Sequence, residues 1–171
     1  EAPPAVVSMF VGEELEEILE AIETDTSYGG KEKELMRIGV HTLPKFPKDT
    51  TDRNRTSPFA FTGNKFEFRM LGSSASISDT NVVLNTAVAE ELKQFADTLE
   101  KADDFEFALH ELIKKVITEH KRIIFNGNGY DDAWIAEAEK RGLLNLKTTP
   151  DCLPYLLKKK NVDLFTSHKV Y

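Results

Sequence analysis

Residues 52–74 read DRNRTSPFAFTGNKFEFRMLGSS, and the fold turns on how this stretch is read. Residues 59–61 and 65–71 have the aromatic content of strands, and Thr62-Gly63-Asn64 between them has the chemistry of a hairpin turn. Successive side chains on a strand point to opposite faces, so Lys65, Glu67 and Arg69 share one face while Phe66, Phe68 and Met70 share the other. Charges on such a strand are costly to bury unless they meet a ligand, a metal or one another. The pattern therefore predicts a phenylalanine face packed inward and a charged face presented to something.

Outward from the hairpin, the chain changes character in both directions. Upstream, Ala5 to Val11 has the composition of a short buried strand, and residues 13–23 place Leu15, Ile18, Leu19 and Ile22 at helical spacing on an otherwise acidic helix. Thr24 to Gly30 reads as a loop, Leu35 to Leu43 as a short strand, and Pro44 and Pro47 mark an extended connection into the hairpin. Downstream, Thr80 to Lys101 and Asp104 to His120 read as two amphipathic helices forming an antiparallel pair, the first capped by Asp79 or Thr80. Arg122 to Phe125 reads as a brief extended segment before Asn126-Gly127-Asn128-Gly129, a turn whose Gly127-x-Gly129 spacing lacks the remaining glycine of a phosphate loop. Asp131 caps a helix carrying Trp134, Ile135 and Ala138 that Gly142 stops. A last helix runs from Thr149-Pro150 to Lys160, with Leu153, Leu156 and Leu157 inward and Lys158 to Lys160 complementing its carboxyl end. The fold class is α+β, strands first and helices after.

Composition narrows the function. The chain has 171 residues and a formal net charge of -7, which argues against a general nucleic-acid binder. No apolar run approaches the roughly 20 residues of a membrane span. The chain opens on Glu1 without a basic segment and apolar run of the signal-peptide kind, so a processed or truncated chain is expected. The single cysteine, Cys152, fits a reducing, cytoplasmic setting and reads as a small packed residue rather than a nucleophile. His41 has no second ligand at metal spacing. Charge is unevenly spread: residues 13–34 hold nine acidic residues and two lysines, whereas residues 37–69 hold seven basic and three acidic ones. The hairpin is a positive island in an acidic chain.

A carboxylate and a guanidinium on one strand face suit a nucleotide and metal site, in which Glu67 would hold a divalent cation and Arg55, Lys65 and Arg69 would neutralise phosphate. The competing reading is a salt-bridge ladder of little energetic worth.

Asn54-Arg55-Thr56-Ser57 followed by Lys65-x-Glu67-x-Arg69 resembles the signature of glutamine synthetases, in which N-R-S precedes a basic residue and E-x-R. The wider text, with VLNTAVAEEL, FNGNGY and EKRGLLNLKTTPD, is similar to the type III branch of that family. The resemblance implies an ATP-dependent ligase that makes glutamine from glutamate and ammonia through a γ-glutamyl phosphate, using Mg²⁺ or Mn²⁺. By position, Arg55 would contact phosphate in the transition state, Lys65 the nucleotide, Glu67 a metal, and Arg69 the transferring phosphate or the substrate. Glu1-Ala2-Pro3 resembles the family's E-A-P motif, which makes Glu1 the flap acid that assists deprotonation of ammonium. Residues 1–78 would then be the C-terminal part of the catalytic domain, with an acidic helical insertion over about 12–50, and residues 79–171 a helical C-terminal lobe. The family's remaining metal ligands lie before E-A-P, so the resemblance implies a C-terminal piece of a larger subunit, inactive alone, whose intact form is a homo-oligomeric ring. Two departures stand out. In the family E-A-P lies about a dozen residues before N-R, whereas 53 residues separate Glu1 from Arg55 here, and Ala60 stands where the family tends to have another arginine. The rival from another class is a non-catalytic helical interaction module whose basic hairpin is a docking surface.

Overall fold

The aromatic runs on either side of the acidic helix meet in one small sheet. In the computed structural model, which describes residues 6–30 and 56–170, β1 (Met9–Phe10) runs parallel to β2 (Phe59–Phe61), and β2 pairs antiparallel with β3 (Phe66–Phe68). Met9 stands opposite Phe59, and Ala60 opposite Glu67. A parallel pair requires a crossover connection, and α1 (Glu13–Thr24) lies within it. The hairpin closes through the Thr62 amide donating to the Lys65 carbonyl at 2.9 Å, with Gly63 at φ 95°, a conformation that favours glycine. On the far side of β1, Ile124 forms a parallel bridge to Met9, and the Phe125 amide donates to the Met9 carbonyl at 2.9 Å.

Helix ends follow the local chemistry. Asp104 caps α3 (Phe105–His120) by accepting from the Phe107 amide at 3.0 Å, and Asp131 caps α4 (Asp132–Lys140) by accepting from the Ala133 amide at 2.9 Å. Gly142, at φ 71°, ends α4 as expected. The apolar stripe of α1 is half-buried and packs on α3. Asp25, just past α1, accepts from Lys114 and contacts His110 at 3.1 Å, both on α3. Lys121 reaches back to Glu23 at 2.7 Å.

Three expectations need correction. The long helices α2 (Ser78–Leu99) and α3 do touch, but α3 packs more extensively on α1, and Val88 and Leu92 of the α2 stripe are exposed. Neither Asp79 nor Thr80 caps α2, which begins at Ser78 and whose first amide donates to Ser76 Oγ at 3.2 Å. The last predicted helix is two, α5 (Thr149–Leu156) and α6 (Lys159–Ser167). Pro154 removes one donor inside α5, and the Tyr155 carbonyl is taken by the Asn161 side-chain amide at 2.6 Å and the Lys158 amide at 3.3 Å, so the helix stops without orphaning that acceptor. Lys158 to Lys160 therefore open α6 rather than close α5, and Leu153, Leu156 and Leu157 are exposed rather than inward. The expected strand at Leu35 to Leu43, the Pro44 to Pro47 connection and His41 lie outside the described residues. No described helix is long and apolar enough to cross a membrane.

The best-buried cluster is Val6, Trp134 and Ala138, with Phe125 and Leu143 packed against it. The Trp134 and Phe125 rings stack with centroids 3.8 Å apart and 5° between their planes, and the Arg141 guanidinium lies 5.2 Å from the Trp134 ring centre. Arg141 also donates to the Ile124 carbonyl at 3.0 Å and to Glu137 at 2.8 Å. Residues before the hairpin and residues after α3 thus share one core.

Two outcomes follow for stability. Trp134→Ala should remove about 3–5 kcal/mol in urea unfolding, the range for truncating a buried aromatic. Asp25 is held below its ordinary carboxylate value by Lys114 first and His110 second. Its contribution is present above the unfolded-state value and lost as pH falls through the folded-state value. Asp25→Asn should accordingly flatten the acid side of the stability profile while leaving its alkaline side in place, as measured by thermal unfolding from pH 2 to 8.

Candidate functional site on the hairpin

The two-residue period of β3 puts Lys65, Glu67 and Arg69 in a row, as the sequence predicts. Glu67 sits at the middle and accepts from both neighbours. Its Oε1 lies 3.2 Å from Lys65 Nζ, and its Oε2 lies 3.0 Å from Arg69 Nη2 and 3.2 Å from Arg69 Nε. The two Arg69 contacts use adjacent edges of one guanidinium, a geometry lysine cannot reproduce. Arg69 first and Lys65 second hold the Glu67 carboxyl below its ordinary pKa, so it is ionised and acceptor-only at neutral pH.

The faces are not distributed as the alternation predicts. Phe66 and Phe68 are 50% and 36% exposed and Met70 is 43% exposed, whereas Ala60, on the same side of the hairpin as Glu67, is fully buried. The phenylalanines pair across the hairpin instead, Phe59 with Phe68 at 4.9 Å and Phe61 with Phe66 at 5.1 Å. This corrects the expectation of an inward phenylalanine face. The reason is positional: β3 ends the sheet order β1-β2-β3, so its rings find partners on β2 while their outer surfaces stay open. Along the charged row cover increases towards Arg69, from a Lys65 side chain 64% exposed to an Arg69 side chain 17% exposed.

The backbone leading into the hairpin is firmly held. Ser57 and Pro58 are fully buried. The Pro58 carbonyl accepts from the Arg69 amide at 2.8 Å, and the Thr56 carbonyl accepts from the Gly129 amide at 3.1 Å. Arg55 and Glu1, the other two predicted site residues, lie outside the described residues. Lys65, Glu67 and Arg69 are brought together.

Whether this group can hold a divalent cation follows from its donors. A hard cation such as Mg²⁺ takes about six oxygen ligands. The row supplies one carboxylate, and among the described residues no cluster of three or more His, Cys, Asp or Glu could hold a metal. Glu67 could supply one oxygen ligand to a site completed by others.

The turn at residues 126–129 is not a phosphate loop in this arrangement. The Gly129 amide is committed to Thr56, and the Tyr130 amide to Asn128 Oδ1 at 3.0 Å. The side chain of Asn126 is where sequence reading fell short. Its Oδ1 accepts from the amides of Val11 and Gly12 at 3.0 and 2.8 Å, more than a hundred residues away, and its Nδ2 donates to Glu16. An Asn-Gly dipeptide looks like a turn whether or not its side chain is engaged elsewhere, so no local signal distinguishes the two.

Comparison with known proteins bears on the whole length. Residues 108–171 match the family described as "Glutamine synthetase C-terminal domain". The chain is 42% identical to a type-3 glutamine synthetase of Dictyostelium discoideum over 99% of its length, 43% identical to a glutamine synthetase of Butyrivibrio fibrisolvens over 100%, and 35% identical to one of Bacteroides fragilis (strain YCH46) over 100%. It spans 24% of the length of each of these relatives. Placed beside the Lys65, Glu67, Arg69 row, these matches establish that the chain belongs to the glutamine synthetase family, in its type III branch.

Proposed function

We propose that this chain supplies one wall of the active site of an ATP-dependent glutamate–ammonia ligase. The observation that supports it is the Lys65, Glu67, Arg69 row, an ionised carboxylate between two cations on one strand face, in a glutamine synthetase sequence. ATP would phosphorylate the substrate's side-chain carboxylate, and ammonia would displace phosphate from the γ-glutamyl phosphate. A divalent metal, Mg²⁺ or Mn²⁺, would supply charge neutralisation across the phosphates when bound.

Within that reaction the row divides the work. Glu67 offers one oxygen to the metal. Its Oε1 takes one contact, from Lys65, and retains acceptor capacity for the metal, while phosphate oxygens would be further partners for both cations. Arg69 then faces the charge that builds on the transferring phosphate, while Lys65, the most exposed of the three, meets the nucleotide. Arg55 is assigned to phosphate and Glu1 to the ammonium proton by their motifs alone. One carboxylate cannot assemble a multi-metal site, so the chain by itself is proposed to be inactive, the remaining ligands coming from other parts of a larger subunit. A cytoplasmic, homo-oligomeric ring is the proposed working form. Residues 1–78 are proposed as catalytic-domain sequence and residues 79–171 as the helical lobe. No observation on the described residues favours a docking module instead.

The test is made in the full-length protein, as glutamate-dependent release of ADP. Glu67→Gln keeps the shape of the side chain but loses its charge, and should weaken the metal requirement's half-saturation by at least about tenfold, since even outer-shell partners are worth that much. Arg69→Ala and Arg55→Ala should each lower kcat by about 10²–10³-fold, the scale for removing one preorganised donor from a transition state. A docking surface would tolerate Glu67→Gln, so near-normal turnover in Glu67→Gln and Arg55→Ala together would sink the ligase reading.

A further inference from the structure

The last two helices join the rest of the described chain at one face. α5 packs on α6 and α6 packs on α2, and neither has other extensive packing among the described elements. The half-buried residues Asn161, Leu164, Phe165 and His168 recur at helical spacing, so α6 carries them as one stripe. On α2 the buried residue is Thr86, and the half-buried Glu90 lies one turn beyond it. Between the two helices, His168 Nε2 lies 2.8 Å from Glu90 Oε2, with side chains only 21% and 28% exposed. We propose that this contact is a pH-sensitive latch: it holds α6, and through it α5, on α2 while the His168 imidazole is protonated, and it slackens as the proton is lost. The latch does not depend on the ligase reading.

Histidine is the side chain that ordinarily changes charge between pH 5 and 8. An imidazolium donating to a carboxylate makes a charge-assisted bond, whereas a neutral imidazole makes only an ordinary one. The backbone holds the ring in place for it. Lys169 turns the chain at φ 55°, its amide donates to the Thr166 carbonyl at 3.0 Å, and the Val170 amide donates to the Phe165 carbonyl at 2.9 Å, so His168 closes α6 at a fixed position. A cation there also complements the carboxyl end of the helix. The acceptor keeps its charge over the same range. His168 first and Gln94 second, the latter donating to Glu90 Oε1 at 2.9 Å, hold the Glu90 carboxyl below its ordinary value. The contribution of Glu90 is therefore lost only as pH falls through that lowered value, while the charge assistance from the imidazolium goes as pH rises through the histidine range. The other charges around the junction are Lys93 of α2, which also acts on Glu90, and Lys169 beside His168, and lysine does not ordinarily change charge between pH 5 and 8. On α5 Asp151 is bonded to Thr148, on α6 Lys159 to Asp163, and on α3 both His110 and Lys114 serve Asp25.

Hydrogen–deuterium exchange on the full-length protein between about pH 5.5 and 8.5 tests the latch, each rate being divided by that of the unstructured peptide at the same pH. As pH rises, protection of peptides covering 159–170 should fall about two- to fivefold, the scale of one ion pair, while peptides of α4 keep theirs. His168→Gln retains a donor but cannot take up charge, and should hold the α6 peptides at the alkaline level at every pH. His168→Lys carries a cation throughout and should hold them at the acid level. Glu90→Gln removes the charged acceptor and should abolish the dependence as well. If His168→Gln fails to fold, Glu90→Gln decides by the same readout. Wild-type protection that does not change with pH, a dependence that survives in either glutamine variant, or an equal fall in the α4 peptides would each overturn the latch.

Discussion

The structure depends first on the stack of Phe125 against Trp134. Two flat rings 3.8 Å apart bury the centre of a cluster that also takes in Val6, Ala138 and Leu143. Val6, packed in that cluster, joins the segment before the hairpin to the segment after α3. Because Phe125 is fixed there, its amide is fixed against Met9, its neighbour Ile124 lies alongside β1, and Arg141 can cover Trp134 while donating to the Ile124 carbonyl. A sheet of only a few residues per strand has little cohesion of its own, and this packing supports β1 from the side opposite β2.

The hairpin then shows how a small charged row can be both structural and chemical. Glu67 between Lys65 and Arg69 is satisfied as it stands, so the row is stable without a ligand. The same arrangement keeps an ionised carboxylate and two cations within a few ångströms of one another, the groups that the proposed metal and phosphate roles require. The salt-bridge reading and the proposed active-site reading use the same three side chains and do not exclude each other. The exposed phenylalanines of the same hairpin pair across β2 and β3, which reverses the simple picture of an aromatic face turned to the core.

Much of the secondary structure was legible because it is set locally. The apolar spacing of α1, the aspartate cap at Asp131 and the stop at Gly142 each act within a turn of the chain. The break between α5 and α6 was less legible, since it depends on Asn161 turning back to the Tyr155 carbonyl. Of the candidate site, alternation alone located Lys65, Glu67 and Arg69, while Arg55 and Glu1 were readable as motifs. Asn126 was not readable at all, because its partners at Val11, Gly12 and Glu16 lie more than a hundred residues away in the chain.

By itself, the sequence determined which residues could share a strand face, where most helices begin and end, and which family the chain resembles, since all of these rest on period, local hydrogen bonding or motif spacing. Tertiary structure decided which side of the hairpin is covered, that α3 leans chiefly on α1, and that an Asn-Gly turn after α3 holds the approaches to both β1 and β2. The reason is that burial and long-range hydrogen bonds are properties of a place in the folded chain. They belong to no short stretch of residues.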